Sequence, residues 1–514
     1  MITQYFFWIL CIIIILNMLN WIRKLHMAKC YLELNQKNDD KNMNSDPIAI
    51  IIPVLEETTR IRNTINQMLS VINSMEYCYI ILVTTEKEYQ CHLNTNKKYI
   101  EHIKIAKSKY EVIELLDKLS LTIDLRKDHI DNLSLKSFKN NAVELINNRP
   151  TTIDLAKEIS LNNQNVKVYH CNKVDGVMAH QVNVGIKSFI KENPQLKETV
   201  LFGLYNADSY INYNTIKWIQ SKRKNAMGRS VIFQQYGNYV KNLDSIKKNN
   251  CISKFILLTS SMWQTRWSLG FEIANALCQF KKKGFQEEFF YVDHKMLNYC
   301  IGHGLYFDYK TFERFCGFSE ITHNEDAIWG VQASYLMIPI IPVPILEISE
   351  SPDAVYSLYK QKTTWFLGPM QAFKYYKNIK TMFKLKSFKE KASLLNLCCR
   401  LFEHAIRWIV VPIQMLLLFI LYWNSFPKLI IALIISTTYL NIPNFIAIKI
   451  TNRYTMPENR VHISLKDYLG MIIFAPLQFW LHGLSGLRAI LRVIVCKVTN
   501  KKLEKERTPL KEMN

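Results

Sequence analysis

Two short segments of the chain place carboxylates where they could do chemistry. Asn206 and Asp208 follow residues 199–204, an apolar run typical of a buried strand, and Glu325 and Asp326 stand together further on. A carboxylate is a hard oxygen ligand suited to Mg²⁺ or Mn²⁺, and a positioned carboxylate can take a proton from a hydroxyl. These residues are therefore candidates for metal binding and proton transfer. Each pair also has a structural interpretation: a helix cap for Asn206 and Asp208, and a solvated acidic turn or helix cap for Glu325 and Asp326.

The elements around these segments alternate between strand and helix patterns. Apolar runs predict strands over residues 48–52, 79–83, 166–170, 199–204, 230–234 and 337–343, with helices over 58–72 and 178–190. Buried strands without polar alternation, separated by helices, predict an α/β fold with a mostly parallel sheet. Ligands of such sheets bind beyond the carboxyl ends of the strands. Pro53 and Glu57, after the first strand, and Glu86, after the second, are therefore expected at the ligand edge.

Composition narrows the possible partners. The 514-residue chain carries a formal charge of +22 and is 49% hydrophobic. Such a basic protein calls for an acidic partner, but the charge forms no single tract and no nucleic-acid-binding module is visible. We therefore expect membrane lipids or phosphorylated substrates rather than nucleic acid. The twelve cysteines are scattered and include no C-x-x-C pair, as expected of reduced thiols in a cytoplasmic domain.

Long apolar runs at both ends predict a membrane protein. Residues 5–22 are followed at once by Arg23, Lys24 and Lys29, which indicates an uncleaved anchor with a cytoplasmic continuation. Residues 408–423 and 429–448 predict two further spans joined by a short turn. A fourth stretch, residues 468–495, is interrupted by proline, glycine and arginine. Because a basic tail follows it, we expect this stretch to re-enter the membrane or to lie in the interface.

These patterns divide the chain into five parts. Residues 1–45 form an anchor and linker, and residues 46–370 form the α/β domain, with a helical insert over about 88–165. Residues 371–407 mix lysines with apolar residues, which suits an amphipathic helix on the inner leaflet; the alternative is a solvated linker followed by a core helix. Residues 408–495 form the C-terminal membrane region and residues 496–514 a basic cytoplasmic tail. The α/β domain is thus expected at the cytoplasmic face of the inner membrane.

Four motifs, taken in order, resemble the inverting glycosyltransferases of family 2. They are Pro53-Val54-Leu55-Glu56-Glu57, Asn206-Ala207-Asp208, Glu325-Asp326, and Gln361-Lys362-Thr363-Thr364-Trp365. The resemblance covers about residues 46–370 and extends to the flanking apolar helices, as in the branch with cellulose and hyaluronan synthases. It implies a GT-A fold, which binds a nucleotide sugar.

The resemblance also implies roles for these residues. Asp208 corresponds to the last carboxylate of the family's D-x-D and would bind Mg²⁺ or Mn²⁺, which neutralises the leaving diphosphate. Asp326 corresponds to the general base of the E-D pair, supported by Glu325. Gln361, Thr364 and Trp365 match the Q-x-x-R-W element beside the acceptor and the diphosphate. Gly176 lies in the loop that corresponds to a donor-side Gly-Lys.

The chain departs from the family pattern at three places. Asn206 replaces the first D-x-D carboxylate and can bind a metal or the ribose only through its amide. Thr364 replaces the arginine and supplies only a hydroxyl, which argues against a processive polymerase more than against sugar transfer. After the second strand, where the family commonly has an aspartate that contacts the base or ribose, Glu86 is the candidate.

The implied activity is inverting transfer of a sugar from a nucleoside-diphosphate sugar, with UDP as the expected nucleotide, to a lipid-linked or growing glycan. Two alternatives remain open. The first is transfer to a polyprenyl phosphate. The second is a non-catalytic scaffold of a polysaccharide assembly complex, for which Asn206 and Thr364 are the evidence. Polysaccharide export or assembly proteins are possible partners in either case.

Overall fold

A computed structural model gives the fold of residues 2–36, 46–75, 77–119, 121, 134–226, 228–280, 292, 295–455 and 460–499. The strands are β1 (Ile48–Pro53), β2 (Cys78–Thr85), β3 (Val166–Cys171), β4 (Leu201–Leu204), β5 (Ile232–Gln234), β6 (Gly237–Asn238), β7 (Leu305–Asp308), β8 (Ile340–Pro342) and β9 (Glu347–Ile348).

The helices fall into three groups along the chain. The first group is α1 (Ile2–Gln36), α2 (Ile61–Ile72), α3 (Lys87–Ile105), α4 (Lys109–Lys118), α5 (Leu135–Asn147), α6 (Thr152–Leu161) and α7 (Met178–Glu192). The second is α8 (Tyr213–Asn225), α9 (Leu243–Lys247), α10 (Cys251–Trp267), which a π-helical turn (Ser268–Ile273) joins to α11 (Ala274–Cys278), and α12 (Tyr309–Arg314). The third is α13 (Glu325–Leu336), α14 (Val355–Met370), α15 (Ala372–Met382), α16 (Phe388–Leu421), α17 (Phe426–Tyr454) and α18 (Leu465–Val498).

The chain forms two compact units that do not follow the predicted domain limits. Described residues 46–211 make one unit, which we call the strand-edge unit. Residues 2–36 and 212–499 make the other, which we call the helical unit. The predicted domain of residues 46–370 is therefore divided near residue 211, and the N-terminal anchor belongs with the C-terminal helices.

The strand-edge unit is built on a parallel sheet in the order β3-β2-β1-β4. The parallel arrangement predicted from the apolar runs is confirmed for these strands. Ile48–Ile52 are fully buried, as expected of a central strand covered on both faces. Helix α7 packs closely on the sheet, because a Cβ on Gly185 would lie 2.5 Å from the Val83 side chain.

The predicted insert of residues 88–165 is helical where the structure describes it. Helices α3, α4 and α5 share a small core that includes Ile103, Val112, Leu116 and Phe138. Each of α4, α5 and α6 begins with a serine or threonine whose side chain accepts a hydrogen bond from the first turn. Such caps satisfy backbone N–H groups that a helix leaves unpaired. The insert is thus a helical subdomain with an apolar core of its own.

In the helical unit, β5 pairs antiparallel with β7 and parallel with β8. The predicted strand of residues 337–343 is shorter than expected, because Met337 ends α13 in the left-handed conformation (φ 55°) and β8 covers Ile340–Pro342. Strand β6 pairs with β9 in a separate two-stranded ladder. The segments after β5, β6 and β7 carry the side chains described below.

Four helices in the described part of the chain are long and apolar enough to cross a membrane: Tyr5–Asn35, Phe388–Ile420, Phe426–Tyr454 and Leu465–Val498. Residues of α1, α16, α17 and α18 share one apolar core, for example Phe7, Leu418, Tyr439 and Phe479. The fourth stretch is an unbroken helix with Pro476 inside it, so the expectation that the chain dips in and returns is wrong.

The predicted amphipathic segment, residues 371–407, is not one helix. It is divided at residues 383–387 between α15 and α16, and Ser387 and Glu390 form a capping box at the new start. Its apolar face packs against α13 through residues such as Tyr375 and Leu397 instead of being left for a lipid surface. The predicted tail lies outside the described residues from residue 500 onward.

Candidate active site

Helix α13 positions the Glu325-Asp326 pair at its first turn. The Asp326 carboxylate accepts two backbone hydrogen bonds, from Gly302 N (2.9 Å) and from Ala327 N (2.8 Å). Glu325 is buried, at 2% exposure. A solvated acidic turn is therefore wrong for Glu325. Asp326 does stabilise the start of α13, because the N-terminus of a helix favours a negative charge. Its carboxylate also accepts the hydrogen bond from Gly302 N, which lies outside the helix.

Two glycines allow residues 298–304 to lie close to this carboxylate. A Cβ on Gly330, in the middle of α13, would lie 2.6 Å from Asn298 O and 2.9 Å from Cys300 N. Gly304 has φ +62°, and a Cβ there would lie 2.8 Å from Gln235 O. Only glycine fits both close approaches. These contacts bring Gly302 to hydrogen-bonding distance of Asp326.

The end of β5 fixes the same segment from the other side. The Gln234 side chain donates to His303 O (2.8 Å) and accepts from Ile301 N (2.9 Å). Gln235 N donates to Gly304 O (2.7 Å). Because each end of the 301–304 segment is hydrogen-bonded, the segment is held in one conformation.

His303 forms an acid–imidazole pair that sequence reasoning missed. Its Nδ1 lies 2.6 Å from Glu347 Oε2, and the two side chains are 15% and 2% exposed. A carboxylate on one ring nitrogen fixes the tautomer and the ring orientation. Glycines on both sides of His303 were visible in the sequence, but Glu347 comes from β9, 44 residues later. Only the fold could reveal the pair.

Helix α14 carries the three predicted acceptor-side residues. Thr364 and Trp365 lie three and four residues after Gln361, so both lie on the same side of the helix as Gln361. Gly368 continues this face, and a Cβ on it would lie 3.2 Å from Asn324, the residue just before the Glu325-Asp326 pair. The helix with the Q-x-x-R-W-like segment therefore packs against the residue that precedes the acidic pair.

The side chains of Gln361 and Thr364 on α14 make weak hydrogen bonds. Gln361 accepts a long hydrogen bond (3.4 Å) from Gln264 of α10. The Thr364 hydroxyl donates to Lys360 O, one turn earlier in its own helix (3.2 Å). A threonine hydroxyl bonded in this way leaves no cation at the position where the family pattern has arginine.

The π-helical turn after α10 carries a further acid. Burial raises the pKa of Glu272 to about 7, against hydrogen bonds from Ser268 and Trp267 and the charges of His303 and Lys362, which lower it. The residue nevertheless remains partly exposed. This combination is expected of a side chain in a narrow crevice, and π-helical turns are frequent at functional sites. No sequence motif pointed to Glu272.

The strand-edge unit holds the predicted donor-side residues at the carboxyl ends of β1 and β2. Pro53 ends β1, and the Gln181 side chain donates to both Val54 O (3.0 Å) and Val83 O (2.8 Å). Glu57 N donates to the Thr152 hydroxyl (2.9 Å). Helices α6 and α7 thus hold the turn after β1 in place.

Glu86 directly follows β2 and pairs with a histidine. Its Oε2 lies 3.1 Å from His170 Nε2, and the His170 Nδ1 lies 2.9 Å from the Thr84 hydroxyl. The Glu86 side chain is 42% exposed, so the outer part of the carboxylate remains accessible. The position at the strand end agrees with the predicted ligand edge. The contact with a nucleoside stays a prediction.

Gly176 precedes α7 in an open loop. A Cβ on it would meet no atom closer than 3.4 Å, at Lys173 O, so the fold itself does not require glycine there. In the same loop, His180 Nδ1 accepts from Val177 N (3.1 Å) at the start of α7, and its Nε2 lies 2.7 Å from Lys173 Nζ. His180 thus caps the start of α7.

Asp208 lies in the turn after β4. Ser209 N donates to Asn206 O (3.1 Å), which closes the turn, and the Thr64 hydroxyl donates to Ala207 O (2.6 Å). The helix-cap interpretation of these residues is wrong, because the side chain of Asn212 caps α8. The turn with Asn206 and Asp208 is instead fixed at the end of β4 by hydrogen bonds to Asn206 O and Ala207 O.

The metal-binding prediction can be compared with the surroundings of Asp208. Its carboxylate is 46% exposed and lies 4.0 Å from an Arg60 guanidinium nitrogen. The described residues contain no group of three His, Cys, Asp or Glu side chains that could hold a metal. The residues around Asp208 fit a Mg²⁺ or Mn²⁺ that binds one protein carboxylate and completes its coordination shell with substrate phosphates and water. They do not fit a site formed by protein ligands alone.

The fold and the site define a class: a mixed α/β protein with a mostly parallel sheet, four helices apolar enough for a membrane, and an acidic pair against a Q-x-x-x-W helix. No protein-family model matches the chain, and none of the curated proteins matches it. Among solved structures, the crystal structure of S. aureus TarS 1–349 is similar over 89% of this chain and 93% of that chain. The two share 9% sequence identity, with a TM-score of 0.32.

Proposed function

We propose that the protein is a membrane-bound glycosyltransferase that moves a sugar, with inversion, from a nucleoside-diphosphate sugar to a hydroxyl or phosphate acceptor. One observation carries the proposal. Three segments far apart in sequence meet around Asp326: Gly302 N–H donates to its carboxylate, and α14 packs on the residue before Glu325. Two of these segments, Glu325-Asp326 and α14, are those that the family resemblance assigns to the base and the acceptor side.

In this mechanism a phosphate acceptor attacks as an anion and needs no base, whereas Asp326 accepts the proton of an attacking hydroxyl oxygen. That oxygen forms a bond to the anomeric carbon as the bond to the nucleoside diphosphate breaks, so one base is enough and no covalent enzyme intermediate forms. Backbone hydrogen bonds to both carboxylate oxygens hold Asp326 in place. Glu325, buried beside it, supports the helix start.

The donor is expected at the carboxyl ends of β1, β2 and β4, where Pro53, Glu57, Glu86, Gly176 and Asn206 lie. Asp208 would hold a Mg²⁺ or Mn²⁺, which supplies positive charge to the leaving diphosphate. UDP is the expected nucleotide. The acceptor is a lipid-linked or growing glycan, or a polyprenyl phosphate, and the reaction takes place at the cytoplasmic face of the inner membrane.

The test is a screen of the full chain, purified in detergent, against nucleotide sugars with and without Mn²⁺, with released nucleoside diphosphate as the readout. Asp326→Asn is expected to lower turnover roughly 10²- to 10⁴-fold and to leave donor binding within twofold. An asparagine oxygen can accept only one of the two backbone hydrogen bonds, so a small loss of thermal stability is also expected.

The control is Glu320→Gln, which removes an exposed carboxylate five residues before the pair. It is expected to leave turnover unchanged. Near-wild-type transfer by Asp326→Asn would exclude Asp326 as the base. No release from any nucleotide sugar, with retained binding, would favour the non-catalytic scaffold.

A further inference from the structure

Lys362 is a buried lysine for which the described residues provide no hydrogen-bond acceptor. It lies on α14 between Gln361 and Trp365 and has no exposed surface. Its Nζ is buried and makes no hydrogen bond. The nearest groups are two aromatic faces: Nζ lies 3.9 Å from the centre of the Trp365 ring and 5.1 Å from that of Trp263.

This arrangement is costly in the ligand-free protein. An ammonium group has three N–H donors, and burying it without acceptors is strongly unfavourable. Burial lowers the pKa of Lys362 well below its usual value, and the Glu272 carboxylate opposes that shift. The two tryptophan faces favour a cation only in part. An incoming anion would supply the missing acceptors and keep the ammonium protonated.

The surroundings show what kind of anion fits. Trp263 stacks on Trp267 (5.2 Å between ring centres) and meets His482 edge-on (4.2 Å), and His482 stacks on Trp408 (5.3 Å). Trp408 and His482 belong to α16 and α18, two of the apolar helices. Trp263, one of the two rings beside Lys362, thus packs against residues of two membrane-type helices. A ligand with an anionic head and an apolar chain matches both features.

The position of Lys362 on α14 points to the acceptor. Lys362 lies within the segment from Gln361 to Trp365, which the family resemblance assigns to the acceptor side, and α14 packs on Asn324 through Gly368. The Trp365 ring, whose centre lies 3.9 Å from the Lys362 Nζ, is itself partly exposed, so a ligand that reaches Lys362 is expected to displace this ring.

We propose that Lys362 binds the phosphoryl group of a phosphorylated amphiphile, a lipid phosphate that serves as the acceptor. The acceptor role depends on the proposed glycosyl transfer, whereas the binding itself does not. The diphosphate of the donor is a second phosphoryl group that could bind Lys362. The experiment distinguishes it from the lipid phosphate.

The first experiment measures binding of decyl phosphate and of decanol to the full chain in detergent, by quenching of tryptophan fluorescence. The wild type is expected to bind the phosphate more tightly than the alcohol. Lys362→Met, which keeps the length of the side chain between the two rings, is expected to weaken phosphate binding roughly 10- to 100-fold and to leave decanol binding unchanged. The proposal would be overturned if Lys362→Met weakened the binding of both ligands equally, or if it weakened the binding of neither.

Lys360→Met is the matched control. Lys360 lies two residues earlier on α14, is only partly buried, and places its Nζ 4.1 Å from the centre of the Tyr356 ring. Lys360→Met is expected to leave the affinities for decyl phosphate and for decanol unchanged. If both variants weaken phosphate binding equally, general surface charge explains the effect and the Lys362 site is wrong.

Thermal stability separates a binding role from a structural one. Replacing a buried charge without partners by an apolar side chain of similar volume is often neutral or stabilising. Lys362→Met is therefore expected to keep or raise the melting temperature while it loses phosphate affinity. If Lys362→Met clearly lowers the melting temperature, and partial unfolding explains the lost phosphate binding, then Lys362 has a structural role instead.

The last measurement identifies the source of the phosphate. Lys362→Met is expected to leave nucleotide-sugar binding within twofold of wild type. If donor binding falls instead and decyl phosphate binding does not, the acceptor assignment is overturned in favour of the leaving diphosphate. Specific decyl phosphate binding without any sugar transfer would contradict the proposed function and leave the anion site standing.

Discussion

At the scale of single residues, the site combines groups that a motif can identify with groups that it cannot. Asp326 and Asp208 could be predicted because each stands next to a recognisable pattern. Glu272, His303 and Lys362 could not, because their chemistry comes from neighbours distant in sequence. His303 depends on Glu347, and Lys362 on Trp263, 99 residues earlier. Burial and pairing are properties of the fold, not of the residue type.

Asp208 gives a prediction at this scale. Asp208→Ala is expected to weaken nucleotide-sugar binding in Mn²⁺ roughly tenfold, because it removes the one protein carboxylate that the strand end offers to a metal. The effect should vanish in EDTA, where wild type and variant are expected to bind alike. Calorimetry with and without Mn²⁺ measures both.

A different pattern would point to Arg60, 4.0 Å away. If Asp208→Ala binds the donor more tightly, and equally well in EDTA, the guanidinium rather than a metal neutralises the diphosphate. Arg60→Gln would then lose donor affinity, whereas Arg62→Gln, which removes an exposed pair with Glu158, would not.

At the scale of elements, close packing decides where the site residues lie. Helix α13 approaches the 298–304 segment only because Gly330 has no side chain, and α14 meets Asn324 at Gly368. The π-helical turn carries Glu272 and interrupts the regular α-helical repeat after α10. Each of these local features fixes the position of a residue in the candidate site.

Gly330→Ala tests the first contact. Alanine is the better helix former, so a helix without tertiary contacts would gain stability. Here the new Cβ would meet backbone atoms at 2.6 and 2.9 Å, and a loss of about 1–3 kcal/mol is expected, together with loss of turnover. Gly176→Ala is the control: its nearest neighbour would lie at 3.4 Å, so unchanged stability is expected. Equal behaviour of the two variants would contradict the packing argument.

Glu272 predicts a pH dependence of stability. Its folded pKa of about 7 lies above its ordinary 4.5, so the folded protein holds the extra proton between these values. Stability must therefore fall as the pH rises from about 4.5 through 7. At pH 8 the wild type is expected to be less stable than Glu272→Gln by about 2–3 kcal/mol, and the two should converge near pH 4.5.

The measurement is the difference in melting temperature between wild type and Glu272→Gln across pH 4.5–8 in one detergent. Taking the difference cancels the titration of all groups that the two proteins share. Glu313→Gln, which removes an exposed carboxylate in the same unit, is expected to show no such trend. A difference that does not change with pH would mean that Glu272 is not desolvated as described.

At the scale of the whole molecule, the N-terminal helix and the three C-terminal helices belong to one unit with the 212–370 part of the chain. Residues of α1 share a core with α16, α17 and α18. An N-terminal anchor attached only by a linker, as the sequence suggested, would have made no such core. The apolar helices are thus an integral part of the unit that carries Asp326 and Lys362.

Membrane orientation is the prediction at this scale. Cys251 and Cys316 are exposed and are expected to face the cytoplasm. In variants that keep one of them as the only cysteine, a membrane-impermeant maleimide should label inverted vesicles and not intact cells. Cys398, which is buried, serves as the negative control. Labelling of Cys251 or Cys316 from outside the cell would overturn the proposed topology.

The sequence by itself determined the parallel strands, the helical insert, the first three apolar helices and the positions of the acidic residues. These follow from short-range patterns of burial and capping, which the chain carries locally. It did not determine the division near residue 211, the unbroken α18, or the break between α15 and α16.

The tertiary structure decided which of the predicted residues meet and which unpredicted ones join them. It brings Asp326 to Gly302, His303 to Glu347, and Lys362 between two tryptophans. The physical reason is that protonation and ligand affinity depend on desolvation and on the partners within a few ångströms. Those partners come from segments tens of residues apart, and only the packing of α10, α13, α14 and the apolar helices brings them together.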